Sequence, residues 1–151
     1  MESLPARLLR YQNGSADMNN ITSPATDDSA IEREIQAKGL TAPRVTPDDL
    51  QDNIAECVYF TAAQGVHSAW LRNGDNEKLF TPDQVVGPLS RLTFCVLVLR
   101  NGFTVTGESP CASPENFDAE IGKKIARQNA EQKIWPLMGY ALKQHLHDAS
   151  A

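Results

Sequence analysis

Residues 92–106 read LTFCVLVLRNGFTVT, and the rest of the chain is arranged around them. Between Leu92 and Leu99 only Thr93 is polar. An apolar run this short suits either a strand or a buried helix. Its β-branched and aromatic content, and the turn signal just beyond it, favour a strand. Asn101-Gly102 tolerates positive φ at both centres of a type I′ turn, whose twist matches paired strands. Phe103 to Thr106 then alternates apolar and polar residues, as a strand with one face in water does. The expectation is a β-hairpin with Leu92–Leu99 as its inner strand and Phe103–Thr106 as the more exposed one.

Downstream, Gly107 to Ala112 reads as a loop, and Ser113-Pro114-Glu115 as a helix start. A serine can cap a free amide, proline suits the first helical position, and an acid favours the positive end of the dipole. Phe117, Ile121 and Ile125 recur every fourth residue, and Ala126, Ala130 and Ile134 continue the apolar stripe. Gly122 within this pattern predicts a close neighbour, because glycine in a helix costs about 1 kcal/mol relative to alanine. Pro136 removes a ladder hydrogen bond and restricts Trp135, so a kink or break is expected there. A second helical segment carrying Leu137, Met138, Ala141, Leu142 and Leu146 then leads to a frayed end at 148–151.

Upstream, the Ser, Asn, Thr and Asp content of Asn13 to Asp28 is that of a flexible linker, and residues 1–28 read as a tail. Ser29 to Lys38 reads as a short helix with Glu34 and Lys38 paired and Gly39 as its stop. Thr46-Pro47-Asp48-Asp49 starts a second helix, predicted over Thr46–Phe60 with Leu50, Ile54, Cys57 and Val58 inward. Thr61 to Gly65 reads as a turn. Val66–Leu71 and Glu77–Phe80, either side of Asn73-Gly74, suggest an additional hairpin. The fold class is therefore α+β: one domain over 29–147, a small antiparallel sheet built on the 92–106 hairpin, packed by the 46–60 helix and the Pro114–Leu146 arm. Two strands rarely make a stable sheet. Either the 66–80 segment or a second subunit must add more, which makes a homo-oligomer, most simply a dimer, the default.

The net charge of −5 and pI near 5.1 oppose a bulk electrostatic hold on nucleic acid. The acids concentrate in 46–91, whereas 92–151 carries six charges of each sign, with Lys123, Lys124 and Arg127 clustered on the long helix. Cys57, Cys95 and Cys111 have no close spacing, and the first two fit small core residues in a reducing cytosol. No apolar run is long enough to span a bilayer, and the Leu4–Leu9 patch lacks the pattern of a secretory signal.

Chemistry is sparsely marked. His145 and His147 do not share a helical face, His67 is remote, and no cysteine pair has zinc spacing, so no metal or cofactor is expected. Ser109 and Cys111 follow a strand, where functional residues often sit, and Cys111 with His67 would be a nucleophile–base pair in principle. No signature surrounds them, and turn residues are the simpler reading. An anion site fits better. The amides at Ser113–Asn116 suit an anion, and Arg100, Lys123, Lys124, Arg127 and Tyr140, with Trp135 nearby, could supply charge and stacking. Its bland counterpart is a solvated basic helix face.

Three segments carry a resemblance: GLTAPRVTP (39–47), YFTAA (59–63) and 92–146, with LTFCVLVLRNGFTVTGES, ASPENFDAEIGKKIAR and IWPLMGYAL as its most distinctive phrases. In these the chain resembles a family of small phage and prophage proteins named after the gene-49 and gene-66 products of two enteric phages. The resemblance spans roughly 29–147, apart from 64–91. It implies a non-virion accessory product made in the cytoplasm of an infected bacterium, and it supplies no catalytic residues. The expected function is non-enzymatic binding that counters host defence or metabolism. In its sharpest form the protein sequesters a nucleotide or cyclic nucleotide at Arg100, Lys123, Lys124, Arg127 and Tyr140. The alternative is a protein–protein inhibitor that uses the acidic 46–56 helix as a docking face or nucleic-acid mimic, with a small hydrolase behind both.

Overall fold

The computed structural model describes residues 26–73 and 87–151. Expectations for residues 1–25 and for Glu77–Phe80 lie outside that range. The described residues form an α+β unit with element order α1 (Thr26–Ala37), α2 (Pro47–Asp52), β1 (Ile54–Thr61), α3 (Ala62–Asn73), β2 (Leu92–Leu99), β3 (Thr104–Pro110) and α4 (Ala119–Ala149). The sheet is antiparallel with order β1-β2-β3 among the described residues, so the Leu92–Leu99 strand is central as expected. Its burial alternates strictly. Thr93, Cys95, Leu97 and Leu99 are buried under α4, and the residues between them face the other side half-buried.

The third strand comes from within the chain, from residues 54–61, and the described residues 66–73 are helical. Residues 54–60, expected as helix, and Thr61, expected in a turn, pair with β2 from Ile54 opposite Leu99 to Thr61 opposite Thr93, with an irregularity at Ala55. The helix that starts at Thr46 has its full capping box with Asp49, yet it stops at Asp52. Beyond it, Val58, Tyr59, Phe60 and Thr61 have the β-branched and aromatic character that suits a pleated, half-buried surface. The free edge of β2 gives them a ladder that a lone helix could not.

The predicted Val66–Leu71 strand is instead helical, in α3. Its start carries a reciprocal cap: Gln64 N–H donates to Thr61 Oγ1 at 3.2 Å, and Thr61 N–H donates to Gln64 Oε1 at 2.8 Å. The pair satisfies two amides at a helix start.

The hairpin turn differs from the expected two-residue kind. Gly102 N–H donates to Leu99 O at 2.9 Å, and Leu99 N–H to Phe103 O at 2.8 Å, so the loop holds Arg100, Asn101 and Gly102. Gly102, at φ +85, takes the left-handed position that ends a three-residue loop. β3 also continues past Thr106 to Pro110, through the stretch expected as loop.

Gly107 explains why. A Cβ there would overlap backbone atoms of Ala126 and Ala130 on α4. A glycine inside a strand can mark close approach by another backbone. Gly122 plays the matching part on the helix, as its sequence context predicted: a Cβ on it would lie 2.9 Å from Thr93 Oγ1. The helix therefore lies on the sheet along Gly122, Ala126, Ala130 and Ile134, which keeps the later part of the predicted stripe and not its start. Ile121 and Ile125 are left 55 % and 42 % exposed. Asn129 and Lys133 reach from α4 to the carbonyls of Glu108 and Thr106 on the edge strand.

Pro114–Asn116 forms only a three-residue 3₁₀ turn, at whose start Ser113 makes no side-chain cap, and Asp118 caps α4 by accepting from Ile121 N–H at 2.9 Å. No break occurs at Pro136: α4 runs through it to Ala149. Pro136 itself is exposed, so water can reach the carbonyl whose partner it removes. Ile134 is fully buried, and Trp135 and Met138 pack against the core on either side of the proline, which holds both halves of the helix against the core.

α1 is docked by an ion pair to the segment before α2. Arg44 Nη2 lies 2.5 Å from Glu32 Oε1, with the Glu32 side chain only 14 % exposed. The Arg44 bond holds the Glu32 carboxyl below its ordinary value of 4.5. A carboxylate whose pKa falls on folding adds stability above its unfolded pKa and loses it as pH drops through the folded one. Protection of the α1 amides, corrected for the intrinsic pH dependence of exchange, should thus fall selectively as pH drops below 4.5, and protection that tracks that of α4 across that range would show that the pair does not hold α1.

Candidate functional site

Two features stand out once the fold is in place. The first lies under α4 on the sheet face shared by β1 and β2. Cys57 sits opposite Leu97 and Cys95 opposite Tyr59, so the two cysteines are diagonal neighbours on one face. Their sulfurs are 3.7 Å apart. Cys95 is fully buried and Cys57 half-buried. The Tyr59 hydroxyl is buried there with no hydrogen-bond partner of good geometry.

Arg127 and Glu131, one turn apart on α4, close this cluster. Arg127 Nε lies 2.7 Å from Glu131 Oε1, with the two side chains 16 % and 9 % exposed. Gln51 from α2 joins both, accepting from Arg127 Nη2 at 3.0 Å and donating to Glu131 Oε1 at 3.1 Å. The bond to Cys95, with help from Tyr59 and Arg127 and against the effect of burial, lowers the Cys57 thiol from 9.0 to about 7. The same bond and burial raise Cys95. Burial first, then Cys57, raises Tyr59. Although burial opposes its charge, the Glu131 carboxylate keeps Arg127 firmly protonated.

The second feature is a groove of about 530 Å³ between α2, the β2–β3 loop and the C-terminal half of α4. Val45, Met138, Ala141 and Leu142 line its apolar part, and Arg44, Asp49, Asp52 and Arg100 its polar part. Arg100 is fixed there by donating from Nε to Asp52 O, while its backbone N–H donates to Asn53 O at 2.9 Å.

The five residues predicted to bind one ligand divide between these places. Lys123 lies 3.1 Å from Glu120 and 6.0 Å from the Tyr59 ring centroid, at the same end of α4 as Arg127. Lys124 is exposed beside them. Tyr140, 72 % exposed, is seventeen residues beyond Lys123 on the same helix, about 25 Å along its axis. Arg100 belongs to the groove. No single small ligand can span all five. Trp135 packs against the core instead of offering a stacking face. The anion-friendly amides predicted at Ser113–Asn116 do not head a helix, and at the true start of α4 Asp118 supplies its own carboxylate.

Ser109, expected in a loop, lies buried within β3, and Cys111 Sγ donates to Ser113 O at 3.2 Å. His67 is exposed on α3, its ring centroid 6.2 Å from that of Trp70. Neither the Cys57–Cys95 pair nor Arg44 was singled out from the sequence. The only signal for the pair would have been the strand identity of 54–61, which places the two cysteines on one face.

The match to the phage protein (N4 Gp49/phage Sf6 gene 66) family extends over residues 45–146. The chain belongs to this family. No curated protein and no solved structure matches it. Within the N4 Gp49/Sf6 gene 66 match lie α2, the whole described sheet and all but the last residues of α4, whereas α1 precedes it. Both the thiol cluster and nearly all of the groove are therefore parts of the family's shared region, and only Arg44 falls one residue before it. Among the described residues no helix is long and apolar enough to cross a membrane.

Proposed function

We propose that this phage accessory protein acts by binding and not by catalysis, and that it captures a host protein to blunt defence or metabolism. The observation that carries this reading is the overhang of α4. Its 31 residues extend about 46 Å, whereas the strands beneath it, of seven or eight residues, extend about 26 Å. In its C-terminal half the helix presents Leu137 and Tyr140, 40 % and 72 % exposed, and on an adjoining face Met138, Ala141 and Leu142, which line the apolar floor of the groove. A partly apolar surface with a mixed-charge rim suits a protein segment. Asp48, Asp49 and Asp52 on α2 give that rim its acidic side, which fits a basic partner.

Leu137→Ser and Tyr140→Ala alter exposed side chains only, so their folds should match the parent. Capture of a stoichiometric partner from host lysate should fall about tenfold or more in the double variant if these residues are central contacts. Undiminished capture would remove this surface from consideration.

A second reading, sequestration of a nucleotide or cyclic nucleotide, draws support from Arg100 beside the same apolar floor, with Arg44 as a second guanidinium and Asp49 and Asp52 opposing a phosphate. Native mass spectrometry with linear and cyclic nucleotides separates the two. A nucleotide retained intact by the parent and lost in Arg100→Ala would favour sequestration, and a converted one would point to an enzyme.

A further inference from the structure

We propose that Cys57 and Cys95 form a redox-modification site, in which Cys57 reacts with a peroxide-class oxidant and the buried Cys95 resolves the product to an intrachain disulfide. Three observations carry it. The register of β1 against β2 places both cysteines on the face under α4, with their sulfurs already 3.7 Å apart. Their exposure is unequal: Cys57 is half-buried and Cys95 is wholly covered, so a small oxidant reaches Cys57 first. Arg127, held in place by Glu131 and Gln51, is a fixed cation near Cys57 and favours its thiolate.

The chemistry balances within the pair and one peroxide. The Cys57 thiolate attacks a peroxide oxygen, the O–O bond breaks, and an S–O bond forms as hydroxide leaves and takes up a proton. Cys95 sulfur then attacks the Cys57 sulfenic sulfur. The S–S bond forms, the S–O bond breaks, and the Cys95 proton leaves with the hydroxyl group as water. Two thiols are oxidised by two electrons, and one hydrogen peroxide is reduced to two waters. Diagonal neighbours in an antiparallel pair have Cα atoms about 7–8 Å apart, slightly beyond what a disulfide spans without backbone movement. Closure therefore draws β1 toward β2 beneath the Arg127–Glu131–Gln51 bridge. In a reducing compartment such a bond is a transient signal and not a structural staple.

A pair of small core residues would pack in the same place and never react, and the test separates the two. Reduced full-length protein is exposed to hydrogen peroxide while folded, then denatured and alkylated. The number of alkylated cysteines should fall from three to one, the survivor being Cys111, and dithiothreitol should restore all three. Peptide mapping should find 57 joined to 95 within a single chain. In Cys95→Ala, Cys57 should stop at the sulfenic acid and be trapped by dimedone. Three labelled thiols after peroxide, loss of Cys111 in place of the pair, or disulfides only between chains would each overturn the assignment.

Discussion

Gly107→Ala is expected to cost about 3 kcal/mol or more, the upper part of what overpacking does. The reason is what the new methyl group would meet. At Gly107 the obstacles are backbone atoms of Ala126 and Ala130, which cannot rotate away as a side chain can. Relief requires lifting α4 from β3, and with it the contacts of Ala126, Ala130 and Ile134, all fully buried. Against a net stability of roughly 5–15 kcal/mol this is a large fraction. Gly122→Ala meets only Thr93 Oγ1, and its gain in helix propensity offsets part of the clash. Gly139→Ala has nothing within 4 Å and should stabilise by about 0.5–1 kcal/mol. Urea midpoints should therefore rank Gly139→Ala above the parent and Gly107→Ala far below it, with slopes unchanged. A Gly107→Ala midpoint near the parent's would mean that helix and sheet are not in backbone contact.

That close approach also marks what the sequence could and could not disclose. The central strand was legible because seven of the eight residues of Leu92–Leu99 are apolar and a turn follows them. The helix start at Thr46 was legible because caps are local chemistry, and the first helix through its Glu34–Lys38 pair and Gly39 stop, although α1 begins at Thr26 and not at Ser29. β1 was not, since Leu50, Ile54, Cys57 and Val58 also satisfy a helical period, and only the partner edge of β2 decides between the two. The buried face of α4 was legible in part: Ala126, Ala130 and Ile134 were expected inward, but apolar weight also points to Ile121 and Ile125, whereas the sheet selects the small residues that let it come near. Gly107, taken as a loop breaker, is the residue that makes this contact possible. The candidate site was hardest to foresee. Arg127 looked like part of a basic surface, and nothing local announced that Glu131 and Gln51 would bind it over two cysteines.

Those partners make Arg127 a structural cation, with a second sizeable consequence. Glu131→Ala should destabilise by about 3 kcal/mol, because breaking a buried pair leaves one charge without its counterion. The Arg127→Met/Glu131→Met double variant should recover most of that loss, since replacing both charges with apolar groups of similar volume is often neutral. The two changes together would then cost far less than the sum of the single ones. Equal and additive losses would show that the pair is solvated in solution. Arg127→Met also has a pH signature. Native Cys57 titrates near 7 instead of 9.0, so between those values the unfolded chain holds a proton that the folded one has released. Stability from this group is complete above pH 9 and is lost as pH falls through 7, giving a rising trend across that window. Removing the Arg127 cation should shift the Cys57 titration upward and flatten the rise, visible as a smaller gain in urea midpoint from pH 7 to 9. A variant with the parent's slope would show that Cys95 and Tyr59 alone stabilise the Cys57 thiolate. The same reasoning governs any ligand test on this helix. Loss of binding in Arg127→Ala would report a loosened α2–α4 junction as readily as a lost contact, whereas Lys124→Ala, on an exposed side chain, would report the contact alone.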